Sequence, residues 1–147
     1  MSDLKRYVQP SVATAALVGL GVSVYLTFVH FQAAQLYCAV SGAIDCERVL
    51  RSGFAVIAGT TVPTSVAGIV WFAVGTVLTG ARISAPSRPG LGRAQMAWSA
   101  VGLLTVLYLV FIEIVEIGAI CAWCTVAHVM VVLIFILTVT IRPSTAT

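Results

Sequence analysis

The chain of 147 residues is 60% hydrophobic and only 9% charged, with a mean hydropathy of +1.07. Those few charges cannot cover a water-soluble domain of this length, and a net charge of +3, scattered along the chain, gives no sign of a nucleic-acid partner. Four cysteines in so short a chain leave three options: structural disulfides, a metal site or a thiol relay.

Four apolar stretches follow one another, at 12–31, 62–78, 94–112 and 120–141. A helix of about 20 residues crosses a hydrocarbon core of about 30 Å, so each stretch is long enough, the second only just. Lipid offers no partner to a backbone amide, so each stretch is predicted to be a helix. Lys5 and Arg6 before the first stretch resemble the charged start of a signal peptide. The apolar run behind them is too long for one and lacks a clear cleavage site, so a retained span is expected. The predicted fold class is an all-α integral-membrane four-helix bundle, one domain over 1–147.

Lys5 and Arg6 precede the first span, Arg82, Arg88 and Arg93 lie between the second and third, and Arg142 follows the fourth. Across the membrane stand only Arg48 and Arg51, offset by Asp45 and Glu47. This asymmetry predicts that both termini are cytoplasmic. The 81–93 connection, "ARISAPSRPGLGR", reads as a cytoplasmic loop without chemistry. The 32–61 connection, with Cys38 and Cys46, then faces outward, and so does the turn before "CAWC", Cys121 to Cys124. All four cysteines therefore fall on the extracytoplasmic side.

Thiols on that side are normally oxidised, and two structural bridges are the plainest reading. A C-x-x-C bond, however, closes a very small ring that constrains little of the unfolded chain, which suits a bond made to be broken and re-formed. The positive end of a helix stabilises a thiolate, and both Cys121 and Cys124 lie near the start of the fourth span. A four-thiolate zinc site is the metal alternative, although the C-x7-C spacing of Cys38 and Cys46 is wider than usual. A loop pair beside a helix pair suggests thiol–disulfide exchange, with a lipid-soluble quinone as the natural electron acceptor.

The run "GLGVSVYLTFVH" in the first span, then "CAVSGAIDCERVLRSG", "VPTSVAG" and "CAWC", in this order, resembles the vitamin K epoxide reductase family, and its bacterial disulfide-forming members most closely. The disulfide-bond oxidase B family also has four helices, two cysteine pairs and a quinone, but carries its C-x-x-C in the first outer loop.

The resemblance implies a four-helix bundle around a quinone pocket, with menaquinone, ubiquinone or a related quinone as cofactor. It implies that Cys38 exchanges with a reduced, extracytoplasmic thioredoxin-fold disulfide oxidase, a separate polypeptide here. Cys46 carries electrons inward through a transient bond to Cys121, and Cys124 stands next to the quinone. Ser52 supports the loop. The implied function is electron transfer from that partner to quinone at the outer face of the cytoplasmic membrane, supporting disulfide formation. Two alternatives stand beside it: an enzyme run mainly for quinone or vitamin K epoxide reduction, and a non-enzymatic scaffold with structural disulfides.

His128 occupies the place of a tyrosine in vertebrate members. It lies one turn from Cys124 on the same face, either bonding a quinone oxygen or tucked into the bundle. Glu113 and Glu116, three apart, are predicted to share a face at the outer end of the third span. There they meet water or Arg48 and Arg51, or one of them supplies a proton for quinone reduction. His30 and Trp123 are expected at the interface, Trp71 as apolar filling and Tyr25 facing the bundle. The run "VLRSGFAVIAG" after Cys46 is expected as an amphipathic segment over the pocket, and Pro63 in the first turn of the second span.

Overall fold

The computed structural model describes residues 2–32, 38 and 41–141; Arg142 and the side chains of Lys5 and Arg6, used above for orientation, lie outside what is described. The elements in order are α1 (Ser2–Gln32), α2 (Cys46–Leu50), α3 (Thr64–Ser84), α4 (Pro89–Phe111) and α5 (Ala122–Thr140). Between α4 and α5 the chain runs as a π-helix, Ile112–Ile117. Isolated bridges are present among the described residues, but no strands.

Four segments are long and apolar enough to cross a membrane: Tyr7–Gln32, Thr64–Ser84, Gly90–Ile117 and Ala122–Thr140. The helices overrun the apolar stretches because hydropathy reports only what lipid touches, whereas backbone hydrogen bonding continues through polar residues. The 81–93 connection is overrun from both sides. It is helical through Ser84 and again from Pro89, which occupies the first helical position, where its missing N–H costs nothing. Only 85–88 remain as a loop. Pro63 stands one residue earlier than expected, as the N-cap of α3.

The four long helices close a ring, α1 against α3 and α5, and α4 against the same two. Small residues bring α1 and α3 together: a methyl group on Gly19 would collide with the Phe72 ring, and one on Gly68 would lie 2.8 Å from the Ser23 hydroxyl. One turn further, Thr27 Oγ1 donates to Ser65 Oγ at 2.8 Å. Outward-facing positions such as Leu104, Val77, Phe28 and Ile136 are apolar and more than half exposed, which is the surface a bundle presents to lipid.

At the end away from the cysteines the ring is tied by a polar cluster. Gln95 on α4 is 3% exposed, and its amide accepts from Arg82 Nη1 at 2.6 Å and donates to Thr79 Oγ1 at 3.2 Å, both on α3. It also pairs with Gln9 of α1 at 3.4 Å. The connection expected to be free of chemistry thus supplies a structural anchor. At about 0.6 kcal/mol per interhelical bond, Gln95→Leu is expected to cost about 2 kcal/mol. Thermal unfolding in detergent checks this, and an unchanged midpoint removes the cluster from the account.

Candidate functional site: two cysteine pairs at the end of an apolar cavity

At the other end of the bundle lies the loop that carries Cys38 and Cys46. These two are joined as a disulfide, with Cα atoms 6.2 Å apart. Gly42, at φ 59°, turns the chain so that Ser41 and Ile44 exchange backbone hydrogen bonds of 3.3 and 3.0 Å. The same loop docks on the segment before α5. Ile120 N–H donates to Ala43 O at 2.8 Å, and Asp45 N–H donates to Ile120 O at 3.1 Å. Asp45 then caps α2, accepting from Arg48 N–H at 3.0 Å. This two-bond bridge sets Cys46, at the first position of α2, beside Cys121, and both are fully buried in one cluster with Ile112, Ile117 and Ala119. Cys38 and Cys124 pack against that cluster.

Cys121 does not open the helix as its first residue; it is the N-cap, and its sulfur accepts from Cys124 N–H at 3.3 Å. A sulfur placed where a capping oxygen usually sits receives the unpaired amides of the first turn. A hydrogen bond from the Cys124 side chain, followed by backbone donation from Cys124 and Trp123, holds the Cys121 thiol below its ordinary pKa, against burial and the Glu113 charge. Cys121 and Cys124 are free thiols here. With Cys38 bonded to Cys46, the four sulfurs do not form a four-thiolate set.

Behind the pair lies a cavity of about 270 Å³. Its walls are mainly apolar, from Leu26, Phe72, Val106 and Val131, and Trp71 lies along it. The polar groups that reach it include Cys124, Glu113, His128, one turn along α5, and Ser52 from the loop. A concave, mainly apolar site with some polar atoms is how proteins hold a small, largely apolar ligand. Ser52 also donates to Val49 O at 2.7 Å and closes the end of α2. The run from Val49 onward leaves the helix at Leu50 and turns, with Phe54, which lines the cavity, and Ile57 each over 40% exposed. The expected amphipathic segment is therefore one short helix followed by turns.

Several expectations are corrected. Glu113 and Glu116 do not share a face: Glu113 is 6% exposed and turned to the cavity, whereas Glu116 is exposed. The π-helix, with bonds from i to i+5, holds more residues per turn, so positions three apart no longer align. Arg51 pairs with Glu47 at 3.0 Å, not with either of them. Beside these corrections, His30 lines the cavity, and Trp123 packs on Tyr25 of α1 with ring centroids 5.0 Å apart. Tyr25 faces the bundle as expected.

Trp71 does more than fill space. Its indole donates to Trp98 O at 3.3 Å, Trp98 donates to Trp71 O at 3.0 Å, and the rings stack at 6.3 Å, clamping α3 to α4. Gly102 makes room for that indole, since a methyl group there would overlap the ring. Gly102→Val is therefore expected to push Trp71 into the cavity and to destabilise the bundle by about 1–3 kcal/mol. Tryptophan fluorescence and thermal unfolding together test it; an unmoved emission and midpoint would refute the clamp.

Four apolar spans around a cavity, with two cysteine pairs gathered at one end of it, define a multi-pass membrane protein organised for thiol chemistry. The family model of the vitamin K epoxide reductase family matches residues 10–139, and the chain belongs to that family. Its members are membrane oxidoreductases linked to quinones. No individual curated protein matches the chain.

Proposed function

We propose that this protein oxidises a reduced extracytoplasmic thioredoxin-fold partner and passes the electrons to a membrane quinone, so supporting disulfide formation outside the cytoplasmic membrane. The observation that carries the reading is the juxtaposition of a bonded pair, Cys38–Cys46, and a thiol pair, Cys121 and Cys124, with the second pair reaching an apolar cavity. The excess of Lys and Arg at the other end supports an outward-facing cysteine end and cytoplasmic termini.

A partner thiolate attacks the Cys38–Cys46 bond at Cys38, and Cys46 leaves as the thiolate. The partner's second thiol resolves the mixed disulfide, which leaves Cys38 and Cys46 reduced. Cys46 then attacks Cys121 of an oxidised helix pair, and Cys124 leaves. Cys38 closes on Cys46, so the loop bond re-forms and the two electrons rest on Cys121 and Cys124. That is the distribution of bonds seen here. The donors gathered on Cys121 lower its pKa and favour a thiolate at the cap.

The lining fits a quinone head: Phe72, Val106 and Val131 would hold its ring, and Cys124 and His128 would offer polar contacts. A bound quinone supplies a two-electron, two-proton acceptor. The helix pair returns to its disulfide as its electrons leave through Cys124.

Anaerobic reduction of menaquinone-type and ubiquinone-type analogues by the purified protein, with a reduced thioredoxin-fold donor, tests this. Donor-driven reduction is expected in the wild type and not in Cys38→Ser. Equal inertness of both with every donor and quinone, in folded protein, returns the cysteines to a purely structural role.

A further inference from the structure

Quinone reduction consumes two protons, and of the two thiols in the helix pair only Cys124 lines the cavity, so the pair delivers one of them there. A second acid is needed within the cavity. Resting on the proposed quinone reaction, we propose that Glu113 is that acid, and that the π-helix at Ile112–Ile117 serves to aim it.

Glu113 is 6% exposed, lines the same cavity as Cys124, and its carboxyl accepts a hydrogen bond from the Cys121 backbone N–H. A carboxyl buried within a membrane-spanning segment is costly to keep unless it is used. The backbone around it is built to hold it there. Gly118, at φ 66°, ends the helix in the left-handed region, and the N–H groups of Gly118 and Ala119 both return to Glu113 O, the latter at 3.1 Å. One residue later Ile120 makes the bridge to the cysteine loop. The residue that ends the π-helix, the docking point of the loop and the N-cap sulfur thus all fall between Gly118 and Cys121, and the Glu113 side chain is tied to the last of them. In a regular α-helix Glu113 and Glu116 would share a face; here the π-turn sends one inward and leaves the other exposed.

The step balances. Cys121 thiolate, Cys124 thiol and the Glu113 acid give the Cys121–Cys124 disulfide and the Glu113 carboxylate. Two electrons pass from the sulfurs to the quinone, one proton comes from Cys124 and one from Glu113. Water at the cysteine end re-protonates the carboxylate. The other titratable groups facing the cavity are His30 and His128, and α2, packed against the π-helix, carries Arg48 and Glu47, the latter paired with Arg51.

The test has two readouts on the full-length protein in detergent. In protein freed of quinone, the infrared difference between reduced and oxidised forms is expected to show a carboxylic-acid carbonyl band that disappears in Glu113→Gln. In single turnovers with a soluble quinone analogue, Glu113→Gln is expected to slow quinone reduction about a hundredfold, in the range for loss of a general acid, and Glu113→Asp to recover part of it. The glutamine still accepts from Cys121 N–H, so electron transfer from the partner to the Cys121–Cys124 bond should be unchanged. Coincident infrared spectra overturn the inference. So does a quinone step unaffected in Glu113→Gln, above all if His128→Gln abolishes it, or a fall in both steps together, which marks a structural role. Inertness of the wild type with every quinone overturns the proposed function, and this inference with it.

Discussion

Cys124→Ser is expected to reduce quinone turnover to background while the bundle stays folded, and Cys38→Ser/Cys124→Ser to form a Cys46–Cys121 disulfide almost completely on mild oxidation. The first half follows from position, because Cys124 is the one sulfur of the four that lines the cavity. The second follows from the bridge. The Ala43–Ile120 and Asp45–Ile120 hydrogen bonds bring the strands of chain before Cys46 and Cys121 together, and both sulfurs are sealed from solvent in one cluster. Once Cys38 and Cys124 are gone, neither sulfur has another partner, and the exchange proposed for the wild type is expected to become a stable bond. Proteolysis without reductant, followed by mass spectrometry, reads the pairing. Two free thiols after oxidation would mean that the loop pair and the helix pair do not communicate by this path.

Ile120→Pro is expected to slow electron transfer from the loop to the helix pair about a hundredfold, with Ile120→Ala close to wild type. Proline removes the N–H that donates to Ala43 O at 2.8 Å, whereas alanine keeps it. Losing that bond frees one side of the loop, and a displacement of about 1 Å between reacting groups is enough for a loss of that order. The bundle contacts of α1, α3, α4 and α5 do not involve this amide, so thermal stability should change little. Stopped-flow reduction of the oxidised protein by a dithiol, followed by quenching and thiol labelling of Cys121 and Cys124, separates the two variants. Equal rates in the two would remove the bridge from the relay.

Much of the plan was legible in the chain. Lipid admits backbone only as helix or closed barrel, so an apolar run of sufficient length already specifies a spanning helix, and four helices long and apolar enough to cross a membrane are present. The two cysteine pairs, their order and their common end of the bundle were equally legible, because spacing and hydropathy are properties of the chain. The likeness of these motifs to the vitamin K epoxide reductase family agrees with the match over residues 10–139.

What the chain could not decide is where a side chain points once helical regularity fails. A period of 3.6 residues put Glu113 and Glu116 on one face, and the π-helix separated them, because its hydrogen bonds depend on how α4 ends against the cysteine loop. The same holds for Cys121: sequence places it near a helix start, but only the bridge at Ile120 makes it the N-cap whose sulfur accepts the first-turn amide. His30, Trp71 and Gly102 took on their roles through contacts between helices distant in the chain. Sequence alone determined a membrane four-helix bundle with two cysteine pairs at one end, since local hydrogen bonding and solvent preference need no partner. Tertiary structure decided which carboxyl, which sulfur and which ring meet at the cavity, since each of those contacts depends on a second segment arriving to make it.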